Sequence, residues 1–295
     1  MKKALILTGG GARGAFQVGV WKYLQEQKWT PDLICGTSIG AINAAAIGSG
    51  MSVERLIQIW NTYDRSKIYR LKILKFIGSA LFRKPLKPLS DTGPMRAMIA
   101  KNLDLSALRQ SPMDIIITAV NLLSGRLHLF NQHEIAVDHI MASSAMPILF
   151  PWQYIGTEPY WDGGVMANTP LFIALQEEMD ESIVVLLSPV GHVELPFPGT
   201  LMKGLELVFE HFLSGSYQVT RPVSIGSRGR IEGPHPYWQT GAVSDTASGT
   251  RPTIRVVAPS RMLGFRSLLN FSSRQARRLV QEGYRNARHH LGPLA

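Results

Sequence analysis

Two glycine-rich turns, each joining an apolar strand-like run to a helical one, fall within the first 48 residues and restrict the fold more than anything else in the chain. Lys3–Thr8 leads through Gly9-Gly10-Gly11-Ala12-Arg13-Gly14 into Ala15–Gln27, where Phe16, Gly19, Val20, Tyr23 and Leu24 recur at helical spacing. After Pro31, the short buried run Asp32–Cys35 leads through Gly36-Thr37-Ser38-Ile39-Gly40 into the alanine-rich helix Ile39–Gly48. Further helices are expected over Val53–Tyr63 and over Val137–Ala145, the latter stopped by Pro147. Further strands are expected over Asp114–Asn121, Arg126–Phe130 and Ser182–Leu187. Strands separated by helices predict an α/β chain with a parallel or mixed sheet covered on both faces.

Beyond Pro189 the texture changes. Thr200–Phe212 has amphipathic helical spacing, and 220–253 is rich in Gly, Pro, Ser and Arg and reads as a long loop. Ile254–Ala258 returns as a strand and Ser273–His290 as an arginine-rich helix ended by Gly292 and Pro293. A core over 1–190 and an extension over 191–295 completing the same domain are therefore expected. The apolar run Ala4–Leu7 is shorter than the roughly 7–15 residues of a signal-peptide core. No stretch reaches the roughly 18 uncharged apolar residues of a spanning helix. One cysteine, Cys35, excludes an internal disulfide and suits a reducing compartment. The expected location is the cytoplasm, at most on a membrane surface.

Three motifs carry chemistry. Gly36–Gly40 fits G-x-S-x-G between strand and helix, the sharp turn that presents a serine hydroxyl to substrate and base, with the positive end of the next helix at the developing charge. Gly9–Gly14 bares consecutive backbone N–H groups, a nest for an anion such as the oxyanion of acyl transfer, with Gly10 and Gly11 as donors and Arg13 beside them. The same letters fit a dinucleotide loop, but Asp32 lies at the wrong end of the second strand to hold a ribose, and no G-K-[ST] follows. The third motif is Trp161-Asp162-Gly163-Gly164, which alone signals only a turn.

The base that would activate Ser38 is narrowed by chain order. Only 37 residues precede Ser38, too few for the strands that come before the elbow of an ordinary α/β-hydrolase. Of the eight histidines, His128, His133 and His139 precede Asp162 and the other five follow in loops or polar ends; none sits in a tight glycine-flanked turn, and each reads as a surface or packing residue. An aspartate, at a reference pKa of about 3.9, is a weak base that partial burial would improve.

LTGGGARG, GTSIG and DGG in this order and spacing resemble the patatin-like phospholipases, as does Ala142–Trp152, a small-residue stretch running into proline. The resemblance covers about Lys3 to Ser188. It implies a three-layer α/β/α fold with a mostly parallel central sheet and a Ser–Asp dyad without histidine. Ser38 would form the acyl-enzyme, Asp162 would take the proton and later activate water, and Gly10 and Gly11 would hold the oxyanion. Arg13 would either stabilise the glycine loop or meet a phosphate. Gly163-Gly164 replaces the Gly-Ala of the commoner motif, a change that is sterically permissive. The resemblance implies a lipid ester substrate, and no metal or cofactor is expected.

The net charge of +10 is uneven: eight basic residues and no acid lie between Arg65 and Lys87, and nine arginines against Glu282 lie from Arg251 onward. Leu71, Leu74, Ile77 and Leu81 share one face of a helix expected over Lys72–Phe82. Lys72, Lys75, Arg83 and Lys84 would then meet an anionic membrane, the alternative being a solvated outer face. Cys35 is expected to be a core residue, and Trp152 and Trp161 to be core or acyl-site residues. Rival readings are an acyltransferase using the same acyl-enzyme, a non-catalytic lipid- or anion-binding protein, and, ranked below these, a nucleic-acid binder.

Overall fold

The computed structural model describes residues 1–72, 89–189, 199–220, 224–225, 231–232 and 252–294. Most of the helix expected over Lys72–Phe82, with Lys75, Arg83 and Lys84, lies outside the described residues, as does nearly all of the loop 220–253. Lys72 is described, and its ammonium pairs with Asp91 at 2.9 Å.

The main sheet has eight strands: β1 (Lys3–Leu7), β2 (Leu33–Thr37), β3 (Asp114–Asn121), β4 (Leu127–Asn131), β5 (Gln153–Ile155), β6 (Glu158–Asp162), β7 (Glu181–Val185) and β8 (Thr253–Val257). Their order is β8-β7-β1-β2-β3-β6-β5, with β4 also on β3. The pairings from β8 through β3 are parallel, and β4, β5 and β6 join antiparallel. The helices are α1 (Ala15–Glu26), α2 (Ile39–Gly48), α3 (Val53–Thr62), α4 (Gly93–Asn102), α5 (Leu105–Arg109), α6 (Val137–Ser143), α7 (Gly164–Ala167), α8 (Leu171–Gln176), α9 (Leu201–Thr220) and α10 (Ser273–Leu291).

Alternation along β1 sends its side chains into two cores. Leu5 and Leu7 join one cluster with residues of α1, α2, α3 and α10, while Ala4 and Ile6 join the other with Leu171 and Ile173 of α8 and Tyr217 of α9. Helices thus cover both faces, as an α/β/α arrangement requires. Cys35 is fully buried in the second cluster, and burial pushes its thiol pKa up. β8, drawn from the C-terminal quarter of the chain, is hydrogen-bonded to β7 as a sheet edge. On α10, Ala276, Leu279, Gly283 and Ala287 face inward, whereas Arg274, Arg277, Arg278, Arg285 and Arg288 are exposed. The arginine-rich stretch is thus one solvated face of an amphipathic helix. Among the described residues no helix is long and apolar enough to cross a membrane.

Several elements depart from expectation. The hairpin β5–β6 was unmarked by the sequence because its strands are short and Pro159 argues against a strand; α4 and α5 were likewise unmarked. The helix expected over Thr200–Phe212 continues to Thr220, through Ser214-Gly215-Ser216. Burial of Leu213, Ser214 and Tyr217 outweighs the weak helical propensity of that stretch.

Candidate active site

Register explains how two residues 124 positions apart can meet. Ile116 to Val120 of β3 pair with β4 along one edge. On the other edge β2 pairs in parallel as far as Thr37 opposite Thr118. Immediately beyond, β6 pairs antiparallel with Asp162 opposite Ala119. β2 and β6 therefore lie end to end on one edge of β3, their C-terminal ends pointing at each other, with Ser38 and Asp162 at the junction.

Ser38 occupies the turn between β2 and α2 with φ 57° and ψ −122°, a conformation that costs a non-glycine residue about 1–3 kcal/mol. Its surroundings hold it there. Its amide donates to Ser143 Oγ at 3.0 Å. The Thr37 hydroxyl is 2.8 Å from that of Thr118 and donates to the Ala167 carbonyl at 3.0 Å. At Gly40, a Cβ would lie 2.1 Å from the carbonyl oxygen of Leu7, so α2 can approach β1 this closely only with glycine. Ser38 is buried, with 7% of its surface exposed at the floor of a cavity.

Asp162 is 3% exposed. Its Oδ1 accepts from the Gly164 amide at 2.8 Å, while Oδ2 is buried with no hydrogen-bond partner among the described residues. Burial pushes the carboxyl pKa up to about 7. The Ser38 hydroxyl and the Gly164 amide pull it partly back. A carboxyl in this state accepts a proton near neutral pH, where an exposed one would not.

The glycine turn stands beside the serine. The Gly9 amide donates to the Asn168 carbonyl at 3.2 Å, and the Arg13 amide to that of Gly10 at 3.2 Å. The amides of Gly10 and Gly11 have no protein acceptor among the described residues. Gly11 lines the same cavity as Ser38, and its φ of 56° with a would-be Cβ 2.3 Å from the Leu268 carbonyl oxygen demands glycine. Gly10 precedes it, against Leu187. Gly14 closes the turn under Ile39, and Gly36, Gly163 and Gly164 flank Ser38 and Asp162 in tight contact with Gly40, Thr118 and Asn168.

Arg13 is fully buried and spends all five N–H groups on protein. Nε donates to Ser267 Oγ at 2.7 Å, Nη1 to the Leu187 carbonyl and Glu210 Oε2 at 3.0 Å each, and Nη2 to Glu210 Oε1 at 2.5 Å and the Gly264 carbonyl at 3.1 Å. Ser188 also donates to Glu210. Of the two roles open to Arg13, this geometry matches support of the loop, with no donor left for a phosphate. Asp32 lies at the opposite end of the sheet, accepting from the Lys3 amide at 2.7 Å. Sequence reasoning missed Glu210, Ser267 and Leu268, which carry no motif.

The cavity over Ser38 measures about 30 Å³ and is walled by Met146, Leu149, Phe150, Phe209, Phe265 and Phe271 among others. Trp152 and Trp161 do not line it; Trp152 is 39% exposed. None of its walls is a histidine. His128 stacks edge-on against Tyr160, and His139 Nδ1 accepts from the Ala136 amide at 3.1 Å. His192 and His235 lie outside the described residues. Among the described residues no cluster of His, Cys, Asp and Glu could hold a metal ion.

A family model described as patatin-like phospholipase matches residues 5–175. The cGAMP-activated phospholipases of Vibrio cholerae and Escherichia coli are 29% and 27% identical to the chain over 202 and 200 residues, covering 59% of it in each case. These alignments cover 57% and 55% of the relatives, so the chain spans little more than half the length of the curated relatives it matches. Among solved structures, VipD from Legionella pneumophila shares the fold with a TM-score of 0.50 at 13% identity, covering 98% of this chain and 66% of that one. Since the family model takes in more than half of the residues, the chain belongs to the patatin-like phospholipase family.

Proposed function

We propose that the chain hydrolyses ester-linked acyl chains of phospholipids, lysophospholipids or related lipids through a Ser38–Asp162 dyad. The observation that carries this reading is the buried, half-satisfied Asp162 carboxyl, with a pKa pushed up to about 7, at the junction where Ser38 is held in a strained turn. Phospholipid heads the substrate classes because the curated relatives are named phospholipases.

In this mechanism Ser38 Oγ attacks the ester carbonyl as Asp162 Oδ2 takes the hydroxyl proton. The oxyanion accepts hydrogen bonds from the amides of Gly10 and Gly11, which are pre-oriented and cost no reorganisation. Collapse expels the alcohol, which takes the proton from Asp162 and leaves an acyl-Ser38 ester. Water then gives a proton to Asp162 as it adds to that ester, and collapse releases the fatty acid and Ser38, whose oxygen takes the proton back from Asp162. Arg13 and Glu210 touch no reacting atom in this scheme; they position the glycine turn. The cavity of about 30 Å³ has room for about one water, so substrate entry requires the phenylalanine walls to move.

The test is hydrolysis of a medium-chain p-nitrophenyl ester and a lysophospholipid by wild type, Ser38→Ala and Asp162→Asn. Loss of about four orders of magnitude in both folded variants is expected. Activity surviving in Asp162→Asn would mean a different base and sink the dyad.

A further inference from the structure

The cavity over Ser38 is the first of three small voids in a row. Phe271 is shared between it and a second void of about 50 Å³, which is enclosed by Ile39, Ile42, Leu56, Trp60 and Met98 among others. Ile42, Leu56, Ile59 and Met98 are shared in turn with a third void of about 30 Å³, which ends at Met51, Asn102 and Leu103. The row leads away from the serine, between α2 and α3, to α4.

The lining offers little to water. Asn43 donates to the Gly14 carbonyl at 3.0 Å and to Gln17 Oε1 at 2.8 Å, and accepts from Trp60 Nε1 at 3.2 Å. Asn102, at the far end, donates to Tyr63 Oη and to the Met98 carbonyl, and accepts from Arg55. The two asparagines that line the second and third voids are thus satisfied by protein. Small apolar voids of this kind stay dry and take up apolar guests. Protein interiors are otherwise close-packed, so a row of mostly apolar voids leading away from Ser38 is a costly arrangement that an apolar ligand would relieve.

Phe271 lies in the short coil between Leu269 and α10, half-buried, stacked on Trp60 at 6.3 Å between ring centroids. Met51, Met95 and Met98 are unbranched and fill irregular space without a fixed shape.

We propose that these voids are the closed segments of a tunnel for one unbranched acyl chain, with Phe271 as the gate behind Ser38 and Met98 and Leu103 setting the depth. This rests on the reading that Ser38 is the acylated residue, and it adds the determinant of chain length.

The experiment titrates dodecanoate and hexanoate calorimetrically into the full Ser38→Ala chain, with and without Met98→Trp, which fills the second and third voids. Dodecanoate is expected to bind at least tenfold more tightly than hexanoate, and Met98→Trp to remove most of that advantage. With Ser38 intact, Met98→Trp is expected to lower the ratio of dodecanoyl to butanoyl ester kcat/KM at least tenfold, and Phe271→Ala to raise it. If Met98→Trp does not fold, Leu103→Phe blocks the end of the row instead, and the same ratio is read. Equal binding of the two acids, or a ratio unmoved in folded variants, overturns the tunnel while leaving the dyad intact. The expected binding pattern without any ester hydrolysis supports the tunnel and overturns the catalytic reading.

Discussion

The two glycine turns follow neighbouring parallel strands and open neighbouring helices, yet they are held in different ways. The elbow at Ser38 is fixed by the sheet itself: Thr37 bonds to Thr118 on the adjacent strand, and Gly40 sits against the end of β1. The turn at Gly9–Gly14 is fixed from far along the chain. Gly11 rests on Leu268, and Arg13 reaches Ser267, Gly264 and Glu210, all more than 190 residues away. A serine in a strained conformation, proposed above as the nucleophile, gains from a rigid frame. Anchoring the glycine turn to α9 and the 264–269 segment ties it to the elements whose Phe209 and Phe265 wall the cavity.

The sharpest way to break this comparison is a methyl group at each turn. Gly40→Ala forces a Cβ onto backbone that cannot retreat, and a loss above about 4 kcal/mol is expected, seen as failure to fold or a collapse in Tm. Gly11→Ala presses on the backbone of the 264–269 segment, which lies outside the sheet, so the protein should fold while hydrolysis falls about a hundredfold from misplaced amides. Equal damage from both would show that the turns are held alike.

A smaller effect is expected from Glu210→Gln, which leaves the Arg13 guanidinium buried against a neutral partner. About 3 kcal/mol of stability should be lost in thermal unfolding. kcat should fall with KM little changed, because in the proposed mechanism the Gly10 and Gly11 amides act mainly in the transition state. Glu210→Asp should recover part of both. A fall in stability alone would reduce Glu210 to a structural role.

The smallest effect concerns pH. The folded pKa of Asp162 lies above its unfolded value, so the folded state holds a proton that the unfolded state has released between about pH 4 and 7. Stability from this group is therefore lost as pH rises through about 7. Asp162→Asn should raise Tm by about 2–4 °C at pH 8 and by less at pH 5. Wild-type kcat/KM should rise about tenfold per pH unit up to a midpoint near 7 and then level off. An acid limb centred near pH 4 would contradict the burial argument.

These differences also explain what could be read from the letters alone. Ser38 and the glycines around it announce themselves because their constraints are local, a strand, a turn and a helix in consecutive residues. Asp162 was marked by its turn but not by the hairpin that delivers it, since β5 and β6 are short and interrupted by Pro159. Glu210 looks like any acid on an amphipathic helix, and only Arg13, a charged residue among glycines and small apolar residues, hints that a buried partner exists. Phe209, Phe265 and Phe271 become cavity walls only when the C-terminal third folds back over the site. No periodicity could mark that.

The head-on meeting of β2 and β6 along one edge of β3 gives Ser38 and Asp162 a common rail. Shear or breathing of the sheet that displaces β3 carries both termini with it. The spacing between Ser38 and Asp162 is thus buffered against such collective motion by their shared neighbour. Lengthening either strand by a residue would derail that spacing, whereas loops elsewhere can grow or shrink without touching it.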